Sequence, residues 1–164
     1  MPNTHVYTGA DGAITLSVPP GNEGAAAQAA LDAYELIAVG RATDVRVEVR
    51  ADVRAFNEIG QRYPSELRPG NVHITGTLGR AYVNGALLQL LLGEAAASRP
   101  AASWTQPAFN ITVLLENAAT PGTRNTLTLH DVKIDSWVAE VPEDEFVLEQ
   151  VGFKALYMTV ADEQ

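Results

Sequence analysis

The sequence predicts a mainly β protein: an antiparallel β-sandwich or barrel flanked by one short α-helix. Three observations point that way. In Thr43–Phe56, Val45, Val47, Val49, Ala51, Val53 and Ala55 alternate with Arg46, Glu48, Arg50, Asp52 and Arg54, and a period of two is the signature of a strand with one buried face. Further alternating segments follow, separated by turns rich in Gly, Pro and Asn. The one compact helical stretch, Ala-Leu-Leu-Gln-Leu-Leu-Leu, is bracketed by Asn84 and Gly93, which supply an N-cap and a C-terminal stop.

Taken in order, Ala13–Val18 alternates as a short strand and ends at Pro19-Pro20-Gly21. Glu23–Ala33 is alanine-rich, with Leu31, Tyr34 and Leu36 spaced for a helix, while Tyr34–Val39 fits a strand equally well. This segment is a short helix or an ordered loop. Thr43–Phe56 is the clearest strand, its charged face alternating in sign and therefore close to self-neutralising. Pro64 and Pro69-Gly70 punctuate the chain beyond it, and a strand over Asn71–Leu78 places Val72, Ile74 and Leu78 on one face. The helix between Asn84 and Gly93 is apolar on almost every side, so Leu87, Leu88, Leu91 and Leu92 must pack against something.

Glu94–Pro107 reads as loop, and Phe109–Glu116 as a strand joined through the Asn117–Asn125 turn to its hairpin partner. That partner, Thr126–Glu140, changes its apolar face between Leu129 and Val132, which predicts a bulge near His130-Asp131. Val141–Asp144 is a turn. Glu145–Val160 is the last long strand, with Gly152 at a second change of face. Several of these strands run to 14–16 residues, well beyond the usual five or six. A core built by one small sandwich cannot cover such strands on both faces. Parts of them should project and pair outside the subunit, since a natural protein leaves an edge open only where another chain completes it.

The totals bound the function. The 164 residues suit a single domain, 1–164, in which residues 1–42 contribute the N-terminal strand and the alanine-rich segment. With no cysteine, neither a disulfide framework nor a thiolate metal site can form. No apolar run reaches the length of a membrane span, and the first residues lack the basic and apolar regions of a secretory signal. The net charge of −9 opposes tight nucleic-acid binding.

Chemistry is equally sparse. His5, His73 and His130 have no metal-ligand partners at recognised spacings, and no Gly-x-Ser-x-Gly elbow is present. Gly76-Thr77-Leu78-Gly79 lacks the lysine of a phosphate loop, so Gly76 marks a bulge or a close backbone approach. Glu143-Asp144-Glu145 lacks the alternating ligands of a calcium loop. No catalytic residue, metal ligand or cofactor site is predicted.

The long valine-alternating strand Asp44–Phe56, then Gly-Gln-Arg-Tyr-Pro-Ser-Glu-Leu-Arg-Pro-Gly, then Val-His-Ile-Thr-Gly-Thr-Leu-Gly-Arg-Ala-Tyr-Val-Asn-Gly-Ala-Leu-Leu-Gln-Leu-Leu-Leu-Gly, come in the order found in tail tube proteins. In this stretch, and in its closing Glu-Phe-Val-Leu-Glu-Gln-Val-Gly-Phe-Lys-Ala-Leu-Tyr-Met, the chain resembles the tail tube proteins of tailed phages and of contractile injection systems. The resemblance covers Asp44–Gly93 best and Phe109–Val160 more loosely. It implies a hexameric ring whose inner strands join into a continuous β-barrel lumen, and rings that stack into a hollow tube. DNA, or an injected protein, would pass through without specific binding, and the acidity of the chain fits a lumen that repels phosphates. The implied partners are further copies of itself, tape measure, terminator and baseplate proteins, and a sheath in contractile machines. The implied location is a virion tail. Arg46, Glu48, Arg50, Asp52 and Arg54 would face the lumen or form inter-subunit ion pairs. A baseplate or tube-terminator protein of the same fold is the alternative, and a stand-alone β-sandwich binding module a second one.

Overall fold

The structure is a computed structural model and describes residues 3–163. Seven strands and two α-helices follow one another as β1 (Gly12–Ser17), α1 (Asn22–Tyr34), β2 (Ala42–Phe56), β3 (Glu66–Ala81), α2 (Ala86–Leu92), β4 (Phe109–Glu116), β5 (Arg124–Glu140), β6 (Leu148–Ala155) and β7 (Tyr157–Glu163). All pairings between strands are antiparallel. The strand order is β1-β4-β5-β6-β3-β2, with β7 on β5 as a branch. The result is a curled half-barrel rather than two separate sheets.

The curl comes from β5, which serves two neighbourhoods. Its first half, Arg124–His130, lies between β4 and β7, and its second half, Lys133–Glu140, pairs with β6. Between them the register slips, and Asp131 sits at φ 51°. This is the face change expected at His130-Asp131, and a bulge there bends the strand. The last strand, in contrast, breaks at Leu156 and not at Gly152. The Leu156 amide donates to the His130 carbonyl at 2.9 Å, so the chain leaves β6 and joins β5 as β7 where β5 itself bends. Gly152 instead faces the slip between Ile134 and Ser136, and its amide donates to Ser136 Oγ at 3.1 Å.

Of the short helix or ordered loop expected in the alanine-rich segment, the structure forms the helix, beside the one expected between Asn84 and Gly93. Glu23–Ala33 lies within a thirteen-residue helix, α1. Its buried side is made of Ala27, Ala30 and Leu31, too small and too few to give a strong amphipathic pattern. Gly24 belongs to that side: a Cβ there would lie 1.8 Å from the Pro19 carbonyl oxygen.

Pro69-Gly70 does not end a strand either. β3 begins at Glu66 and runs through it, because β2 and β3 form one long hairpin with an irregularity opposite Ala51–Val53. A slip of this kind is where proline fits into a ladder.

The core lies between the curled sheet and the helices. Leu78, Val151, Phe153 and Ile134 come from β3, β6 and β5, Phe109 and Ile111 from β4, and Leu87 and Leu90 from α2. Gly76 is a close approach. A Cβ there would fall 2.3 Å from the Arg46 carbonyl oxygen and 2.6 Å from the Phe153 ring, so the ring fills the space that a side chain would take.

Candidate assembly surface

Pairing registers sort the residues of β2, β3, β6 and the second half of β5 into two faces. Val45, Val47 and Val49 lie opposite Leu78, Gly76 and Ile74, which lie opposite Val151, Phe153 and Ala155. This face looks into the core. The other face carries Arg46, Glu48 and Arg50 on β2, Thr77, Thr75 and His73 on β3, and Lys154 on β6.

The predicted charges of β2 therefore share the face turned away from the core. Arg46 pairs with Glu48 at 3.7 Å, and Arg50 with Asp52 at 3.9 Å, while Asp52 also meets His73 Nε2 at 3.2 Å. All of these side chains are largely solvated, so each pair contributes at most about 1 kcal/mol. Arg54 lies further out, directly across from Arg68. The charges on this face nearly cancel. Arg46, Arg50, Arg54, Arg68 and Lys154 stand against Asp44, Glu48, Asp52, Glu66 and Glu140, and Lys133 is held by Glu23 at 3.0 Å. The acidity of the chain lies elsewhere.

Beyond Ile74, β3 loses β6 as a neighbour, and β2 and β3 continue alone as a projecting arm to the Asn57–Ser65 turn. The core-side face of the arm stays apolar with nothing of this chain over it: Val49, Val53, Leu67 and Val72 are 51–63% exposed. Ile59 and Tyr63 stand free in the turn, and Phe56 at its root is more than half exposed. The outer edge of β2 has no strand partner among the described residues, nor does the second half of β5 on the side away from β6.

At the other end of the sheet, α2 is anchored by a buried polar network. Arg80 Nε pairs with Glu149 Oε1, Trp137 Nε1 donates to Glu149 Oε2 at 2.8 Å, and Arg80 Nη2 donates to Asn84 Oδ1 at 3.1 Å. The same Asn84 oxygen accepts the Ala86 amide at 3.1 Å. Asn84 thus caps the helix from one position before the formal N-cap, Gly85, and Gly93 closes it at φ 59°. Of the predicted packing leucines, Leu87 is buried, and Leu88, Leu91 and Leu92 are half-buried. The helix buries Leu90 and Ala86 completely. Sequence reading missed Arg80 and Glu149 although parity marked them, since Arg80 is in phase with Leu78, and Glu149 with Val151.

A concavity of about 760 Å³ opens beside α2, over Leu91, Ile134 and Leu156, rimmed by Asp131 and Lys154. Among the described residues, no group of three or more His, Asp or Glu could hold a metal ion, and no helix is long and apolar enough to cross a membrane.

No protein-family model matches the sequence, and comparison with curated proteins gives no match. Comparison with solved structures does. A chain of the sheath/tube terminator of PVC, an extracellular contractile injection system, in its extended state superimposes with a TM-score of 0.65 at 10% identity, covering 96% of this chain and 97% of that one. A chain of the anti-feeding prophage cap, which terminates its tube, gives 0.64 at 12% identity, covering 99% and 95%. The SPP1 tail tube protein gives 0.58 at 13% identity, covering 96% and 80%. The chain has the fold of tail tube and tube-terminating proteins over nearly its whole length.

Proposed function

We propose that this protein is a non-enzymatic structural subunit of a phage-tail-like tube, forming hexameric rings that stack into a hollow conduit. The observation that carries the reading is the match of fold along almost the entire chain to tube and tube-terminating subunits. The open strand edges support it. β2 and the second half of β5 are the two free edges of one four-stranded stretch, β5-β6-β3-β2. Pairing β2 of one copy with β5 of the next continues the sheet around a ring and removes both edges. The apolar arm face is then covered by neighbouring copies instead of water.

In such a ring the face opposite the core lines the lumen, with Arg46, Glu48 and Arg50 exposed on it. That lumen is balanced in charge, not acidic as the net charge of −9 suggests, because the surplus of carboxylates sits on loops, on helices and on β4 and β7. A polar, charge-balanced wall of threonines and paired ions gives passing DNA no continuous cationic track to bind. The role places the protein in a particle tail, in contact with other tail components. Two of the similar structures include tube-terminating subunits, which supports a second reading in which the rings cap a tube and do not extend it. Negative-stain microscopy of the purified protein separates the two: stacked tubes of uniform width support a tube subunit, and rings that never stack support a terminator. A strict monomer at high concentration contradicts both.

A further inference from the structure

One side of β5 is held by β7 and then β6. On its other side β4 accompanies it only as far as Phe109, opposite Val132. Beyond that point the side is open to the end of the strand at Glu140, and in the ring β2 of the next copy occupies it. The direction suits such a pair. Neighbours along β5-β6-β3-β2 are all antiparallel, so β2 runs opposite to β5, and rotation about a ring axis keeps that relation. The edge alone does not fix where the pair begins. A strand that slides by two residues keeps the same side chains on each face, and the regular alternation of β2 leaves several such registers open.

Gln106, Pro107 and Ala108 stand at the boundary between β4 and the open edge. Pro107 and Ala108 are buried, and Pro107 has no amide proton with which to continue the ladder. Gln106 Nε2 donates to the Ile134 carbonyl at 2.7 Å, taking an acceptor on β5 just past the last backbone pairing with β4. Asn110 acts in the same way at the bulge, where its Oδ1 accepts the Asp131 amide at 3.1 Å. The segment is held from behind by both helices. The Ala108 amide donates to the Glu23 carbonyl of α1 at 3.2 Å. At the end of α2, a Cβ on Gly93 would lie 3.1 Å from the Pro107 ring and 3.2 Å from the Thr105 carbonyl oxygen. Gln106 is therefore presented to β5 by a packed segment.

Resting on the tube reading, we propose that Gln106 is a register stop: it closes the Ile134 position to a second copy and confines the inter-subunit pairing to residues 135–140 of β5. The incoming β2 then abuts the end of β4 and settles in one register. A closed ring needs that single register, because strand number, stagger and diameter are linked in a barrel. Gln106 is a positioning residue in this role. Its carboxamide stands where the peptide group of a neighbouring strand would otherwise sit.

The chain has no cysteine, so engineered pairs in the full-length protein report the register by disulfide formation, which needs Cα atoms about 4.4–6.8 Å apart. Val138→Cys on β5 is combined in turn with Arg46→Cys, Glu48→Cys, Arg50→Cys or Asp52→Cys on β2. Within one chain β5 and β2 are three strand spacings apart, about 14 Å, so a bridge reports a neighbouring copy. With Gln106 in place, one β2 position should dominate, and Lys133→Cys should bridge to none of them. Gln106→Glu keeps the shape but sets a carboxylate against the Ile134 carbonyl, and Gln106→Ala removes the donor outright. In both, bridging should spread to positions two residues away, and Lys133→Cys should begin to cross-link. Circular dichroism melts check that both variants stay folded. Bridges at Lys133→Cys with Gln106 in place, or one unchanged register in both variants, overturn the register stop and leave the ring intact. A protein with Gln106 in place that forms no rings and bridges Val138→Cys to no β2 position overturns the tube reading itself.

Discussion

Replacing Glu149 by leucine removes one partner from a pair that is almost wholly inaccessible, with Arg80 at 3% and Glu149 at 0% side-chain exposure. The guanidinium is then left in the interior with only Asn84 oxygens as acceptors. The Trp137 Nε1–H loses its acceptor as well. Breaking a buried pair from one side costs about 3–5 kcal/mol, a large share of the roughly 5–15 kcal/mol that holds a domain folded. Arg80→Met should cost a similar amount and should also loosen the start of α2, since Arg80 holds Asn84, which caps it. The double variant Arg80→Met/Glu149→Leu removes both charges and leaves an apolar site between Leu78 and Val151. Replacing both partners in this way is often neutral or stabilising, so the double variant should lie within about 2 kcal/mol of the wild type. The strongly non-additive cycle is the diagnostic result. Urea unfolding followed by tryptophan fluorescence measures it, with Trp137 reporting on the network directly. Singles that lose less than about 1 kcal/mol, or a double that loses the sum of the two, would refute the assignment of this pair as a buried lock.

Other substitutions separate packing from assembly. Gly76→Ala drives a methyl toward the Arg46 carbonyl and the Phe153 ring, and a forced fit of this kind should cost about 1–3 kcal/mol in thermal or urea unfolding. Leu90→Ala deletes a side chain with no exposure and should cost about 2–5 kcal/mol, whereas Leu88→Ala, at a half-buried position, should cost clearly less. Val53→Ser and Leu67→Ser lie on the uncovered face of the arm, so each should leave monomer stability within about 0.5 kcal/mol while sharply reducing assembly by sedimentation.

Much of the architecture is legible in the sequence because local patterns agree with it. β2 shows its period of two without interruption, and the bend in β5 shows as the phase change between Leu129 and Val132. Where the reading failed, or stayed open between helix and loop as at α1, a tertiary contact decided the local outcome. α1 buries alanines and a glycine against neighbours, so its inner face looks like its outer one in composition. Pro69-Gly70 carries the marks of a turn, but the slip opposite Ala51–Val53 accommodates it inside β3. The break at Leu156 is set by where β5 bends, and that bend is more than twenty residues away. Arg80 and Glu149 look like surface charges one at a time. Only the pairing of β3 with β6 puts them side by side, since Arg80 is the direct partner of Glu149 in register. The charge of the sheet face is hidden in the same way. Net charge is a property of the whole chain, and the register determines which charges share a surface.

The most direct test of the tube account is a helical reconstruction of the assembled protein at a resolution that separates strands. The account predicts hexameric rings with β2 of each copy paired to the second half of β5 in the next, and Arg46, Glu48 and Arg50 lining a central channel. A protein that stays monomeric at high concentration, or an assembly in which the outer edge of β2 remains open to solvent, would contradict it.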